Sequence, residues 1–506
     1  MKEIKRIFCL VLVLALLCAT PLAPRAHGEN LTAANVSGYP ALGFHGGFHE
    51  LIINENTPAA DFVFMIEWIG DLLAARLDDL LACLMALDFD GAVDVLKEIM
   101  WEWFGPIRMD ENGDSRTEGI TRDGPFWLPE YDGWPGFDTD WRLSPIENAE
   151  KLHEYLEYAC DRYGVEKFNL RPISGTVPIV LAYLDAHGYD RIASICINIT
   201  THNGSTVFGE LFTRRMVLDM EALAKMQAFD ELGMDLSALS PILRALFEPG
   251  ILSVLERFLR LAAGRIIDRV YDEIIIPLVS MTPGFWTYVP LKDYEAAKKA
   301  LLGCNPNTNL VEKLDAWHDV ALRADDIIRE AAEHVKVGVW AGYGSPLPPL
   351  GKSNGTNSDF VVDTKYASLG ATCAPLNLPF LPGYRQKAHR DHSHISPDRM
   401  IDASTCLLPD QTWFARNKPH GWEDSYSGWH EWFLETDNPT VFENERYPQF
   451  MDAVQSDESD SGYEYFPIAK LSDSETLLLM LKTVGLHLLK IWRWLLVLPL
   501  FWVDWV

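Results

Sequence analysis

The stretch from Lys167 to Ile199 constrains the fold more than any other part of the chain. Lys167–Ile173 (KFNLRPI) reads as a strand. Thr176–His187 reads as a helix that stops at Gly188. Arg191–Ile199 is a second strand, rich in isoleucine. Strand–helix–strand alternation predicts a parallel sheet covered by helices. The expected class is therefore α/β, with a mostly parallel sheet flanked by helices.

Other segments extend this unit. Tyr39–Phe44 (YPALGF) is a short apolar run that stops at His45-Gly46-Gly47, a strand followed by a loop. Phe62–Phe104 is helical in period and rich in Leu, Trp and acid, and Asp110–Gly136 is a loop region dense in Gly, Pro and Asp. Pro145–Tyr163 is an amphipathic helix, because Ile146, Ala149, Leu152, Leu156 and Ala159 recur every three to four residues. Residues 206–335 run helical with no clear strand, which predicts a large helical cap inserted between strands. Val337–Trp340 resumes the sheet and Ala341–Gly355 is a loop. Gln411–Arg416 is the last expected strand, ending before Lys418-Pro419-His420. Asp452–Glu464 reads as an acidic, serine-rich, solvated linker. The expected organisation is a core in two parts, 38–205 and 336–430, around the 206–335 cap. A linker over 431–470 and a terminal helix over 471–506 follow.

Charge is distributed unevenly. The 506 residues carry 43 Lys+Arg and 72 Asp+Glu, a net −29. Nucleic acid is thereby excluded as the main partner, since phosphates require Lys and Arg. Lys2, Lys5 and Arg6 precede the apolar run Ile7–Ala19, and residues 1–27 read as a secretory signal. Its removal takes away four basic residues and one acidic residue and moves the charge from −29 to −32. Export implies a secreted or cell-envelope location. At the other end, Thr476–Val503 is apolar and tryptophan-rich. At about 100° per residue, Glu475, Lys482, Lys490 and Arg493 fall within one quadrant. The expected partner of this helix is a membrane surface. A helix packed on the protein's own core and a true span are the alternatives.

In an α/β chain, a sharp strand-to-helix turn is where a nucleophilic serine would stand. Leu170–Thr176 offers that context, with Ser174 at the turn. Gly175 would then supply a backbone N–H to a developing oxyanion. The bland reading is an ordinary turn serine. Around it lie Asp140-Trp141-Arg142-Leu143-Ser144-Pro145 and the Glu147–Tyr163 helix. Met281–Trp286 (MTPGFW), Val289-Pro290 and Ser358–Thr364 (SDFVVDT) follow. Over roughly 120–210 and 280–425 these residues resemble the lecithin:cholesterol acyltransferase-like family of α/β-hydrolase lipases. The resemblance implies an α/β-hydrolase fold. It assigns Ser174 as nucleophile, Asp359 as acid, with Asp363 as competitor, and His420 as base. Gly47 or Phe48 in His45–Phe48 would give a second oxyanion N–H. The chain departs from the family at three positions, with Pro172 and Thr176 in the serine turn and Phe360 in the acid turn where the family carries glycine.

The resemblance implies an exported serine esterase or lipase-like hydrolase, or an acyltransferase, acting on lipid or other apolar esters. No cofactor and no metal are implied. The rival is a catalytically impaired protein of the same fold that binds a lipid or a protein partner. His389, His392 and His394 with Asp391 match no standard metal spacing and read first as a polar loop. Cys373 and Cys406 are either a disulfide or two buried thiols. Trp101, Trp103 and Phe104 are either plain core or the lining of an acyl site.

Overall fold

The computed structural model describes residues 41–45, 51–54, 57–59, 72, 75–86, 88–115, 136–216, 267–304, 306–348, 355–421, 428–456, 463–478 and 481. The chain is mixed α/β. Its main sheet is built from β1 (Ala41–His45), β4 (Gly136–Asp138), β5 (Phe168–Arg171), β6 (Ile192–Asn198), β7 (Lys336–Tyr343), β10 (Thr412–Arg416), β11 (Phe450–Gln455) and β12 (Tyr463–Pro467). Two small antiparallel pairs complete the strands: β2 (Leu51–Asn54) with β3 (Thr57–Ala59), and β8 (Thr372–Cys373) with β9 (Ile401–Asp402). The order across the main sheet is β12-β11-β10-β7-β6-β5-β1-β4. All neighbours pair in parallel except β12, which is antiparallel to β11 at the edge.

Among the described residues, the α-helices of seven residues or more are α1 (Leu77–Met85), α2 (Phe89–Trp103), α3 (Pro145–Tyr163), α4 (Val177–His187), α5 (Thr206–Phe212), α6 (Tyr294–Leu302), α7 (Thr308–Leu322), α8 (Ala324–His334) and α9 (Trp429–Glu435). α3 shows why its sequence is helical. Ser144 and Glu147 form a reciprocal capping box, Pro145 opens the first turn, and Gly164 closes the helix in the left-handed region at φ 65°.

One sheet face is covered by α3, α4, α7 and α8. Leu42, Phe137, Leu170, Ile195, Ile197, Val337 and Val339 point into a core shared with Leu152, Leu156, Val180, Trp317 and Ile328. The opposite face at β7, β10 and β11 presents Trp340, Trp413 and Met451 to α9 through Trp429 and Phe433. Gly338 lets α9 approach closely, because a Cβ there would lie 2.7 Å from the Phe433 ring. A third cluster lies at the carboxyl ends of the strands. It joins Ala341, Tyr343 and Phe414 to α2, α5, α6 and the π-helical segment Tyr271–Ser280. Trp103 and Phe104 are buried in it as core, and the Trp101 indole donates to the Glu273 carbonyl at 2.9 Å.

Two expectations change. First, the 206–335 segment is not uniform: α7 and α8 belong to the helical layer on the sheet, packed against α4 and α3. Residues 217–266, the middle of the expected cap, lie outside the described residues. Second, the 431–470 segment is not a free linker. β11 and β12 extend the sheet past β10, with Phe450, Met451 and Ala453 buried. Adjacent Phe450 and Met451 are both buried, so pairing with β10 and β12, rather than an alternating pattern, defines β11 as a strand. After the sheet, residues 473–478 are helical. Ser472 and Glu475 cap that turn reciprocally at 3.2 and 2.9 Å. The Leu471 amide donates to the Pro397 carbonyl at 3.0 Å, Arg399 pairs with Asp473, and Leu477, Leu478 and Leu481 face solvent. No helix among the described residues is long and apolar enough to cross a membrane.

Membership of β11 in the sheet has a measurable consequence. Met451→Ala is expected to cost about 2–5 kcal/mol in chemical denaturation. Val454→Ala, on the exposed face of the same strand, is expected to stay within about 0.5 kcal/mol. Equal, negligible effects would return this segment to a solvated linker.

Candidate active site

The sheet order sets where chemistry can occur. From β1 the chain steps to β4 on one side, then to β5 on the other. In open parallel sheets, ligands bind outside the carboxyl ends of the strands at such a reversal. The turn after β5 stands at this point.

β5 ends at Arg171, and Pro172 follows the strand rather than interrupting it. The Pro172 carbonyl accepts from the Asn198 amide at 3.1 Å, so the ladder to β6 continues past the proline. Ile173 bridges to Asn198, and the chain then reverses through one 3-10 turn, Ser174–Thr176, into α4. Ser174 sits at the apex with φ 49°, left-handed backbone that disfavours a residue with a Cβ. Thr176 holds the turn closed. Its hydroxyl accepts from the Ile173 amide at 2.8 Å and donates to the Ile173 carbonyl at 2.8 Å. The Ser174 carbonyl accepts from Val177 N–H and, at 3.3 Å, from the Thr201 hydroxyl.

The acid turn follows β7. Ser345 and Ser358 exchange backbone hydrogen bonds at 3.0 Å and close the loop between them. Asp359 Oδ1 accepts from the Val361 and Val362 amides at 2.9 and 2.7 Å. Phe360 takes φ 85° at the point where the resemblance expects glycine, and its side chain is buried in the core. Gly342 makes room for the turn, since a Cβ there would come within 2.6 Å of the Asp359 Cβ.

His420 lies four residues past β10. Its amide donates to the Asp359 carbonyl at 2.9 Å. Its Nδ1 is 2.8 Å from Asp359 Oδ2, and its Nε2 is 2.9 Å from Ser174 Oγ. An ionised carboxylate only accepts, so Nδ1 carries the proton and Nε2 accepts from the serine hydroxyl. All three residues are buried, at 1% exposure for Ser174, 0% for Asp359 and 4% for His420.

The two acid candidates separate cleanly. Asp359 faces His420. Asp363 instead caps α5, accepting from the Thr206 amide at 2.8 Å and the Thr206 hydroxyl at 2.7 Å. Gly175 lies at the mouth of α4 and lines a small cavity of about 30 Å³ beside the turn. Gly47 and Phe48 lie outside the described residues.

Comparison with protein-family models, with curated proteins and with solved structures finds no match to this chain.

The remaining candidates have structural roles. Cys373 and Cys406 are both free thiols, and burial raises both, Cys373 to about 12. His394 is buried, with Nδ1 2.9 Å from Gln449 Oε1. No group of three or more possible metal ligands occurs among the described residues. Sequence reasoning passed over Thr200–Ser205 (TTHNGS), the polar run at the end of β6. Thr201 holds the Ser174 carbonyl, and the Ser205 hydroxyl donates to the Val361 carbonyl at 2.6 Å, tying the serine turn to the acid turn. An abrupt change from Ile-rich strand to Thr, His and Asn at a carboxyl end was the available signal.

Burial pushes His202 in that run down to about 4, and burial first, with Arg171 second, holds His430 well below its ordinary range. Both are neutral in the folded protein, while the unfolded chain protonates near 6.5. Stability is therefore lost as pH falls from about 6.5 toward 4. His202→Gln is expected to remove about 2 kcal/mol of the loss between pH 7 and 4.5 in urea titrations. An unchanged acid limb would take His202 out of this account.

Proposed function

We propose that the chain is a serine hydrolase or acyltransferase of α/β-hydrolase type, similar to the lecithin:cholesterol acyltransferase-like lipases, acting on lipid or other apolar esters. The observation that carries this reading is the continuous hydrogen-bond path from Ser174 through His420 to Asp359, at 2.9 and 2.8 Å. The order Ser, Asp, His along the chain is the one this fold uses. Placement of the three groups past β5, β7 and β10, at the carboxyl edge, supports it as well.

In this mechanism Ser174 Oγ attacks the ester carbonyl while His420 Nε2 takes its proton. The C–O bond forms as the carbonyl π pair moves onto oxygen, and the Gly175 amide meets that charge. Asp359 keeps Nδ1–H in place and stabilises the imidazolium without taking its proton. Collapse expels the alcohol, which receives the proton from His420. Water or a second alcohol then attacks the acyl-enzyme by the same steps in reverse.

Fluorophosphonate labelling tests the chemistry. Wild type is expected to label and Ser174→Ala not to. Asp359→Asn is expected to slow turnover by about 10⁴. Asp363→Asn is expected to leave turnover near wild type and cost about 1 kcal/mol of stability through the lost cap. Folded wild type that fails to label ends the reading.

The location is part of the proposal: export directed by residues 1–27, and attachment to a membrane surface by residues 471–506. The exposed Leu477, Leu478 and Leu481 support the second element as apolar side chains open to solvent, with Leu477 and Leu481 on the side of a helical wheel away from Glu475 and Lys482. In liposome flotation, the full chain is expected to float and the chain lacking 471–506 to sediment. Equal flotation would remove the terminal segment from the proposal.

A further inference from the structure

The β1/β4 side of the serine turn holds a group that the triad does not use. His420 and Asp359 reach Ser174 from beyond β10 and β7, which lie on one side of β5 in the sheet. On the other side, toward β1 and β4, the serine turn faces a cavity of about 30 Å³. Residues after β4 line it (Thr139, Trp141 and Asn148), as do Gly175 and Tyr288. That space is water-sized and takes no acyl chain, and Gly175 and Thr176 are the residues of the serine turn that line it.

Tyr288 is fixed there from three directions. Its carbonyl accepts from the Ser205 amide at 2.9 Å. Its ring stacks on Phe208 at a centroid distance of 4.8 Å. Gly204, with φ 74°, lets the backbone of Tyr288–Pro290 approach so closely that a Cβ at 204 would lie 2.4 Å from Pro290 N. The result is that the phenol hydroxyl rests on Gly175. A Cβ on Gly175 would lie 2.4 Å from Tyr288 Oη. The tyrosine, rather than the backbone conformation of the turn, is therefore what disfavours a side chain at 175. Gly175 is also the residue whose amide meets the developing oxyanion in the mechanism above. A phenol O–H is a good donor to such an oxygen, and Tyr side chains can serve an oxyanion hole.

We propose that Tyr288 is a catalytic residue of this site, whose hydroxyl donates to the oxyanion beside the Gly175 amide. The proposal rests on the serine hydrolase reading. No bond to Tyr288 is made or broken, and its proton stays on the phenol throughout. The hydrogen bond strengthens as charge moves onto the substrate oxygen, so it lowers the barrier rather than aiding ground-state binding. The carbonyl would be held from the β1/β4 side by Tyr288 and Gly175, while His420 works from the β7/β10 side.

The experiment uses full-length protein, p-nitrophenyl butyrate as substrate, and a trifluoromethyl ketone whose serine adduct carries the oxyanion. Tyr288→Phe is expected to lower kcat by about 10²-fold with little change in KM, and to weaken the ketone by a similar factor. A tyrosine that only packs would instead move KM or melting temperature and leave the ketone's advantage over substrate intact. Gly175→Ala keeps the phenol but displaces its hydroxyl, and is expected to lose kcat in the same way. Because the Gly175 amide belongs to the same hole, that loss supports the hole as a whole, and Tyr288→Phe is the variant that isolates the phenol. Wild-type kcat and ketone affinity in folded Tyr288→Phe would overturn the proposal while wild-type fluorophosphonate labelling leaves the hydrolase reading standing. Wild type that neither labels nor turns over would overturn both.

Discussion

His420 is tied to Asp359 twice, by backbone amide to carbonyl at 2.9 Å and by imidazole to carboxylate at 2.8 Å. Much of the carboxyl edge is arranged around that double link. A buried carboxylate costs several kcal/mol unless donors meet it. Val361, Val362 and the imidazole supply them. The link also solves a problem of distance. β10 lies three strands from β5, so roughly 14 Å separates their axes. The loop after β10 must run back along the edge to place Nε2 on Ser174, and the acid turn after β7 is the post on which it is held. Gly342 leaves that post the space it occupies.

What could be read from the sequence follows from how local each signal is. α3 was legible to the residue, because a capping box, an N-terminal proline and a terminal glycine all lie within its own span. β5, α4 and β6 were legible because period and punctuation change abruptly between them. β11 and β12 were not, because Asp452, Glu464 and the Asp457–Asp460 run look like solvated linker, and their strand character depends on β10 as a neighbour. α7 and α8 carry ordinary amphipathic patterns that do not say which core they cover. Of the site, Ser174, Gly175, Asp359 and His420 could be placed from turn context and resemblance. The resemblance preferred Asp359 and kept Asp363 as competitor, since both sit in one acidic turn, and their opposite orientations separate them. Tyr288 was out of reach altogether: 113 positions from Gly175 in the chain, it is brought there by packing against Phe208 and Gly204.

Four of the eight described non-glycine residues with positive φ stand in the turns that carry the proposed chemistry. Ser174, Ile199, Phe360 and Asn417 all have positive φ, and they stand past β5, β6, β7 and β10 respectively. Each such conformation costs about 1–3 kcal/mol and persists only if its surroundings enforce it. The enforcement is visible. Thr176 clamps the Ser174 turn, burial of the Phe360 ring holds the acid turn, and the Asn417 amide donates to the Tyr343 carbonyl at 2.8 Å. Glycine at 360 would meet the conformation at lower cost but would leave a hole in the core. The chain accepts local strain there in exchange for apolar burial.

The same trade explains why the unusual serine turn need not be a damaged one. The usual glycines let strand and helix approach closely around the serine. Here Pro172 lies just outside the hydrogen-bonded strand and keeps its carbonyl bond to Asn198. Thr176 turns its hydroxyl inward, where it satisfies both the amide and the carbonyl of Ile173. A buried backbone amide without a partner costs about 1–3 kcal/mol, so a glycine at 176 would leave Ile173 to find another acceptor. The turn thus gains from a side chain the order that glycines leave to the backbone alone. What remains unconditional is Gly175, where any Cβ meets the Tyr288 hydroxyl. The one glycine the turn retains is the one at which the proposed oxyanion donors converge.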